Sequence, residues 1–166
     1  DVQIYDQNAW RQDDEVVRDI ISSDNWDLIG IGGITTAYAS IKKTVKMCKA
    51  CSPKSLICLG GGVLTSIPKE VMSWLPEIDF GFVGESYQTI VDVLDALDTK
   101  NYDLKNVDGL ILRGDNNKII FTNQRKLLHN LDLLPYPAYD LFPFEEVYFK
   151  NSAMMYSEEG MMATRR

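Results

Sequence analysis

The chain has 166 residues, 45% of them hydrophobic and 25% charged, with a formal net charge of -7; this is an ordinary globular balance in which a core can form without disulfide or metal staples. Its basic residues gather in nothing larger than Lys42-Lys43 or Arg165-Arg166, which excludes nucleic-acid binding through phosphate neutralisation and disfavours docking on anionic membranes. No apolar run approaches the roughly 20 residues that span a bilayer, Asp1-Val2-Gln3-Ile4 lacks the marks of a signal peptide, and three cysteines fit a reducing compartment, so the expected location is cytoplasmic.

In chain order, Val2-Gln3-Ile4-Tyr5 is a strand-like run ending at Asp6. Asp13 to Ser23 places Val16, Val17, Ile20 and Ile21 on one helical stripe. Asp27-Leu28-Ile29-Gly30-Ile31 is a short apolar strand turned by Gly32-Gly33, and Ala39 to Cys51 repeats Ile41, Val45 and Cys48 on one helix face. A further strand, Ser55 to Leu59, ends at Gly60-Gly61-Gly62, and Pro68 opens a short helix reaching Trp74. Asp79-Phe80-Gly81-Phe82-Val83 then precedes Gly84-Glu85 and a helix with Ile90, Val93, Leu94 and Leu97 inward.

Four strand–turn–helix units therefore follow one another, with strands apolar throughout rather than alternating, as in a parallel sheet covered on both faces. The expected fold class is α/β: a Rossmann-like, flavodoxin-like doubly wound parallel sheet, then a β-hairpin and an extended linker. Gly109 to Arg113 and Lys118 to Thr122 flank the turn Gly114-Asp115-Asn116-Asn117 and form the hairpin. Beyond about residue 124 the prolines of Leu134-Pro135-Tyr136-Pro137 forbid regular structure. The expected divisions are 1–105 for the sheet domain, 106–123 for the hairpin and 124–166 for the linker.

Ligands of doubly wound sheets bind outside the carboxyl ends of the strands, beside a switch in strand order. Three loops have that address: Gly32-Gly33-Ile34-Thr35-Thr36, Gly60-Gly61-Gly62-Val63 and Gly84-Glu85-Ser86. Glycine lets a ligand approach the backbone, and the helix N-termini behind the loops offer N–H donors. One such loop alone is a tight turn; three at one edge favour a ligand. Gly30-Ile31-Gly32-Gly33 lacks the later glycine and ribose-binding acid of a dinucleotide fingerprint, and no phosphate-loop lysine follows Gly60-Gly61-Gly62. Cys48-Lys49-Ala50-Cys51 is a CxxC, but Cys48 shares a face with Ile41 and Val45, Cys58 lies in an apolar strand, and His129 is the single histidine. These are read as packing residues, with neither catalytic residues nor a metal site in the chain.

The ordered set Val2 to Asp6, Asp27 to Ile31, Leu59-Gly60-Gly61-Gly62 and Asp79 to Glu85 resembles the cobalamin-binding domain of radical S-adenosylmethionine enzymes. The linker Leu131-Asp132-Leu133-Leu134-Pro135-Tyr136-Pro137-Ala138-Tyr139-Asp140-Leu141 is similar to that family's bridge into its catalytic barrel, and Thr164-Arg165-Arg166 to the stretch before its three-cysteine cluster motif. The resemblance implies a corrinoid at the sheet's carboxyl edge, its nucleotide tail buried between sheet and helices beside the loops of Gly32 to Thr36 and Gly60 to Thr65. The implied contacts are Gly32, Gly33, Ile34, Thr35, Thr36, Gly60, Gly61, Gly62, Val63, Thr65, Gly84 and Glu85. The parent would add a barrel holding S-adenosylmethionine and a four-iron four-sulfur cluster, for methylation or cyclisation. The fragment itself would not be catalytic.

Asp6-Gln7-Asn8-Ala9-Trp10-Arg11 keeps only the aspartate of the Asp-x-His-x-x-Gly motif of methionine-synthase-type corrinoid proteins, so no lower histidine ligand is offered. Gly32 replaces a serine common in the family, leaving Thr35 or Thr36 to bond the tail, and Gly84-Glu85-Ser86-Tyr87 lacks the second Gly-Glu. The family's first strand and helix are expected before Asp1, or else Val2 to Tyr5 pairs directly with Asp27 to Ile31. Two alternatives remain: a degenerate, non-catalytic interaction module using Tyr136, Tyr139, Phe142 and Phe144, and a flavin- or nucleotide-binding domain of similar topology.

Overall fold

Short apolar runs bounded by glycine fix the sheet. The computed structural model describes residues 2–99 and 103–148, with the backbone strand pair Tyr156–Ser157 and Gly160–Met161. Leu28–Gly32 forms β1, Leu56–Gly60 β2 and Phe80–Phe82 β3. β1 runs parallel to β2 from Leu28 opposite Leu56 to Gly32 opposite Gly60, and β2 runs parallel to β3. The expected hairpin, β4 (Leu110–Arg113) and β5 (Ile119–Phe121), continues the sheet in antiparallel fashion, giving the order β1-β2-β3-β4-β5. Its turn places Asn116 and Asn117 at φ 56 and 59, the left-handed region that asparagine tolerates best among residues with a side chain.

Helices cover both faces, as a doubly wound sheet requires. Gln7–Trp10 is α1 and Asp14–Ser22 is α2. On one face, α3 (Tyr38–Cys51), α4 (Gly62–Ser66) and α5 (Pro68–Trp74) bury Ile41, Val45, Val63, Leu64, Val71 and Met72 with Leu59 and Ile111. On the other, α6 (Tyr87–Leu97) buries Val93 with Cys58, Phe80, Phe82, Leu110 and Leu112. Ile57, Cys58 and Leu59 are all buried, the signature of a central parallel strand enclosed on both sides.

Two expectations are corrected. Val2 to Tyr5 is not a strand and pairs with nothing in the sheet, so three strand–turn–helix units follow one another, not four. The local reason is Asp6, whose Oδ1 accepts the N–H groups of Asn8 (2.9 Å) and Ala9 (3.0 Å) and so caps α1; a helix start at residue 7 competes with an extended run before it. β1 is consequently an edge strand. Among the described strands the order never reverses, so the glycine loops lie at the carboxyl ends of parallel strands but not at a switch point.

The chain divides into two compact units: Arg18–Leu128, which holds the whole five-stranded sheet, and the flanking segments up to Val17 and from His129 onward. In the flanking unit the Tyr148 hydroxyl donates to Asp6 Oδ2. Where an extended linker was expected, short turns form at Leu131–Leu133 and Tyr139–Leu141, followed by a π-type turn at Phe144–Tyr148. The Phe144 ring packs near those of Tyr139, Phe142 and Tyr148 at 5.9, 5.9 and 5.4 Å. Thr164 to Arg166 lie outside the described residues.

Arg125 fastens α6 to the hairpin. Its Nε donates to Thr89 Oγ1 (3.1 Å), and its Nη2 donates to Asp92 Oδ2 and to the Asp108 carbonyl (3.2 Å). Thr89, fully buried, donates to the same carbonyl at 3.2 Å. Gly109 passes beneath at φ +86, where a Cβ would lie 3.0 Å from Thr89 Oγ1, and its carbonyl accepts the Val83 N–H at 2.9 Å. The height of α6, and of the loop after β3, is set here.

Replacing Arg125 with alanine removes charged hydrogen bonds and leaves a buried threonine short of one partner. Urea denaturation is expected to show a loss of about 1–3 kcal/mol. Asp92 is held below its ordinary carboxylate value, first by the Gln88 amide that donates to it at 2.9 Å and then by Arg125. Because folding lowers this pKa, its stabilisation is complete above the ordinary carboxylate range and disappears as pH falls through it to the folded value. Asp92→Asn should therefore lower the urea midpoint at neutral pH, and the gap to the parent protein should close as pH is taken below about 4.

Candidate functional site

The three glycine loops meet at one edge of the sheet. Gly61, at φ +83, brings the turn after β2 so near the turn after β1 that a Cβ there would lie 2.7 Å from the Gly33 carbonyl oxygen and 3.0 Å from its nitrogen. Only glycine allows this approach. The Val63 N–H donates to the Gly33 carbonyl at 3.2 Å, and Thr65 Oγ1 accepts the Gly84 N–H at 3.2 Å. Two hydrogen bonds thus stitch three crests into one continuous rim.

Of the twelve residues singled out from sequence, Gly32, Ile34, Thr35, Thr36, Gly61, Gly62, Thr65, Gly84 and Glu85 are exposed along this rim, while Gly33 and Gly60 are half-buried. Val63 is the exception: its side chain is fully buried in the core and its N–H is already engaged, so it braces the rim from below. A Cβ added at Gly32, Gly62 or Gly84 would meet nothing within 4 Å. The bulky neighbours leave the rim open: Trp74 is half-exposed with its ring edge-on to Tyr38 at 5.5 Å, and Phe82 is buried against Phe80. None of the helices behind the crests is capped by a side chain, since Gly61 and Ser86 make no such bond before α4 and α6, and Ile34 makes none before the turn Thr35–Ala37 that leads into α3.

Below the rim, the face of the sheet that carries α6 has a shelf without side chains. Gly30 lies opposite Cys58 and Gly32 opposite Gly60, so all four point to the same side. Gly30 and Gly32 are exposed; a Cβ at Gly30 would sit 3.5 Å from Cys58 Sγ, and one at Gly60 3.9 Å from Phe82 Cβ. Gly30 and Cys58 were not among the cofactor contacts expected from sequence, Cys58 having been read as a packing residue. The signal was present as glycine at a period of two, Gly30-x-Gly32, in register with Cys58-x-Gly60.

The family model described as "B12 binding domain" matches residues 1–94. The chain belongs to that family. Uncharacterized methyltransferase PH0819 of Pyrococcus horikoshii is 31% identical to this B12-binding domain over 146 residues, covering 88% of this chain and 31% of that protein. The anaerobic magnesium-protoporphyrin IX monomethyl ester cyclase of Synechocystis sp. is 31% identical over 106 residues, 64% of this chain and 21% of that protein. The chain thus spans about a third or less of the length of these curated relatives. In fold, it resembles the cobalamin-dependent S-adenosylmethionine radical enzyme OxsB, solved with aqua-cobalamin and S-adenosylmethionine bound, with a TM-score of 0.56 at 14% identity over 68% of this chain and 16% of that one.

Within this B12-binding domain Cys48 and Cys58 are held neutral at physiological pH. Burial pushes the Cys58 thiol up to about 12; burial, then the neighbouring Cys51, pushes Cys48 up to about 11. A thiol so held is neither a nucleophile nor a ready metal ligand. Among the described residues no group of three or more His, Cys, Asp or Glu side chains could hold a metal ion, and no helix is long and apolar enough to cross a membrane. The Asp6 carboxylate, matched earlier to a cobalt-ligand motif, is spent on capping α1 and on Tyr148.

Gly61→Ala should cost about 1–3 kcal/mol, because it combines a left-handed φ with a backbone clash. Gly32→Ala, with open space around its Cβ, should stay within about 0.5 kcal/mol of the parent protein. Paired thermal or urea denaturation checks the contrast.

Proposed function

We propose that this chain is the cobalamin-holding part of a larger cobalamin-dependent radical S-adenosylmethionine enzyme of methyltransferase or cyclase type, and is not catalytic alone. The observation that carries the reading is the stitched rim, continuous with the side-chain-free shelf beneath it. A flat macrocycle can lie along backbone at the rim while its nucleotide tail follows Gly32 and Gly30 down the sheet. These residues fit the group because the space a Cβ would fill at Gly32 and Gly62 is open.

When bound, cobalamin supplies the metal chemistry of methyl transfer or cyclisation; the protein contributes binding, orientation and exclusion of water. In this reading Gly32, Gly33, Gly60, Gly61 and Gly62 admit the cofactor. The hydroxyls of Thr35, Thr36 and Thr65 bond its polar tail, and Gly84-Glu85 closes the rim on the β3 side. Asn8 stands where the related motif has its histidine, so this segment would offer a bound corrinoid no histidine.

The partner is the barrel of the same parent chain, holding S-adenosylmethionine and a four-iron cluster. The reading is supported by the linker, where Leu133 and Tyr136 are 75% and 96% exposed, apolar surface that a packed neighbour would cover. The divisions at 105 and 123 are kept as the boundaries between cofactor domain, hairpin and bridge. Three free thiols suit a reducing, cytoplasmic setting.

The test is reconstitution of the full-length parent with hydroxocobalamin, followed by desalting and visible spectroscopy. Retained colour, with the spectrum of a corrinoid lacking a histidine ligand, is expected. Gly32→Leu should fold normally yet retain at least about tenfold less cofactor, because the side chain occupies the rim without straining the backbone. A colourless parent protein would leave the interaction-module alternative standing, and calorimetric binding of flavin mononucleotide would favour the flavin alternative.

A further inference from the structure

The chain is acidic, but its charge is unevenly placed. All 24 acidic residues lie outside residues 28–69, a stretch that holds six of the 17 basic ones: Lys42, Lys43, Lys46, Lys49, Lys54 and Lys69. No more than two of these adjoin in sequence; α3 gathers them. Lys42, Lys46 and Lys49 stand at i, i+4 and i+7, a single stripe about 10 Å long, with Lys43 beside Lys46 at i+3. Lys42, Lys43 and Lys46 are exposed, on the side away from Ile41, Val45 and Cys48, which enter the core. α3 packs against β1, β2 and the turn Thr35–Ala37, and none of these carries an acid.

Two observations set this face apart from a helix surface that is merely solvated. Lysines at these spacings repel one another, and a helix charged only for solubility relieves the repulsion with acids three or four residues away. α3 contains none. Among the described residues Lys49 lies 3.6 Å from the Asp79 carboxylate, while Lys42 and Lys46 make no ion pair. The second observation is aromatic. Tyr38, one turn before Lys42, meets the ring of Trp74 edge-on at 5.5 Å, yet Trp74 stays 51% exposed. Tryptophan and tyrosine are the side chains that anchor interfaces.

We infer that the α3 face docks an acidic protein, with Trp74 and Tyr38 meeting an apolar residue of the partner and the lysine stripe meeting its carboxylates. Size and cation type decide among the anions. Nucleic acid and an anionic bilayer both run far beyond so short a stripe, onto a surface whose acids repel them; a compact cluster of carboxylates does not. Phosphate is also best gripped by the planar fork of arginine, and residues 28–69 contain no arginine. Lysine is a hydrated point charge on a flexible stem, suited to speeding the encounter with an acidic partner. α3 begins directly after Thr35–Ala37, so a partner seated at Tyr38 adjoins the glycine rim. Docking there needs no bound cofactor.

The experiment uses the full-length parent protein and a fluorescein-labelled peptide of glutamates around a central leucine, read by fluorescence anisotropy at low salt, with thermal denaturation alongside. The peptide should bind, and added salt should weaken it. Lys46→Glu should move the two readouts in opposite directions. It places a carboxylate three or four residues from Lys42, Lys43 and Lys49, so the thermal midpoint should rise, while peptide affinity should fall about threefold or more. Trp74→Ala should weaken the peptide about fivefold or more. Lys118→Glu, the same reversal on the hairpin, should leave binding unchanged. A peptide that does not bind overturns the inference, as does a Lys46→Glu protein that binds as well as its parent. Equal losses on Lys46→Glu and Lys118→Glu overturn it too, because net charge alone then accounts for binding. Trp74→Ala without effect overturns the aromatic anchor. Tighter binding of duplex DNA, or of phosphatidylglycerol vesicles, overturns the choice of an acidic protein as partner.

Discussion

The site depends on one close approach, Gly61 against the backbone of Gly33. Without a Cβ at residue 61, the turns after β1 and β2 can touch main chain to main chain, which brings the Val63 N–H onto the Gly33 carbonyl. Val63 then buries its side chain in the core below, and Thr65, one turn later, receives the Gly84 N–H. The three crests hold a fixed spacing because each is bonded to its neighbour rather than to solvent. The rim is therefore built before any ligand arrives, and less binding energy is lost in ordering it.

The third crest is held from the opposite direction. Arg125 collects Thr89, Asp92 and the Asp108 carbonyl, and Gly109 passes the connection on to Val83, one residue before Gly84. The antiparallel hairpin, foreign to a purely parallel sheet, thus braces the loop after β3. The rim offers backbone N–H groups, threonine hydroxyls and the Glu85 carboxylate, while the Cys48 and Cys58 thiols are buried in the core. Such a surface holds and orients a cofactor whose chemistry is its own.

Much of this was legible in the sequence. The apolar runs at Leu28, Leu56 and Phe80, ended by glycine, identified the parallel strands, since continuous hydrophobicity in so short a run has few other uses. Pro68 marked the start of α5, and Gly114 to Asn117 marked the hairpin turn. Val2 to Tyr5 misled because its pattern is that of a strand, while the outcome was decided by a cap at Asp6 and by tertiary pairing that propensity does not encode. Val63 was taken with the glycines beside it, but a β-branched residue there turns inward to the core. Gly30 was overlooked because it was read as part of a strand rather than by face; which side of a sheet a residue occupies emerges only once the register with Cys58 is known.

The bond between Tyr148 and Asp6 joins residues 142 positions apart in the chain, whereas each parallel pair of the sheet joins successive strands, through α3 from β1 to β2 and through α4 and α5 from β2 to β3. Loop-closure entropy penalises the distant contact most, so topology orders the folding steps. The sheet unit can assemble from neighbouring βα pieces as they leave the ribosome, while α1 must wait for residue 148 to be synthesised before its cap finds its second partner. The Asp6–Tyr148 bond is accordingly among the last contacts the emerging chain can make.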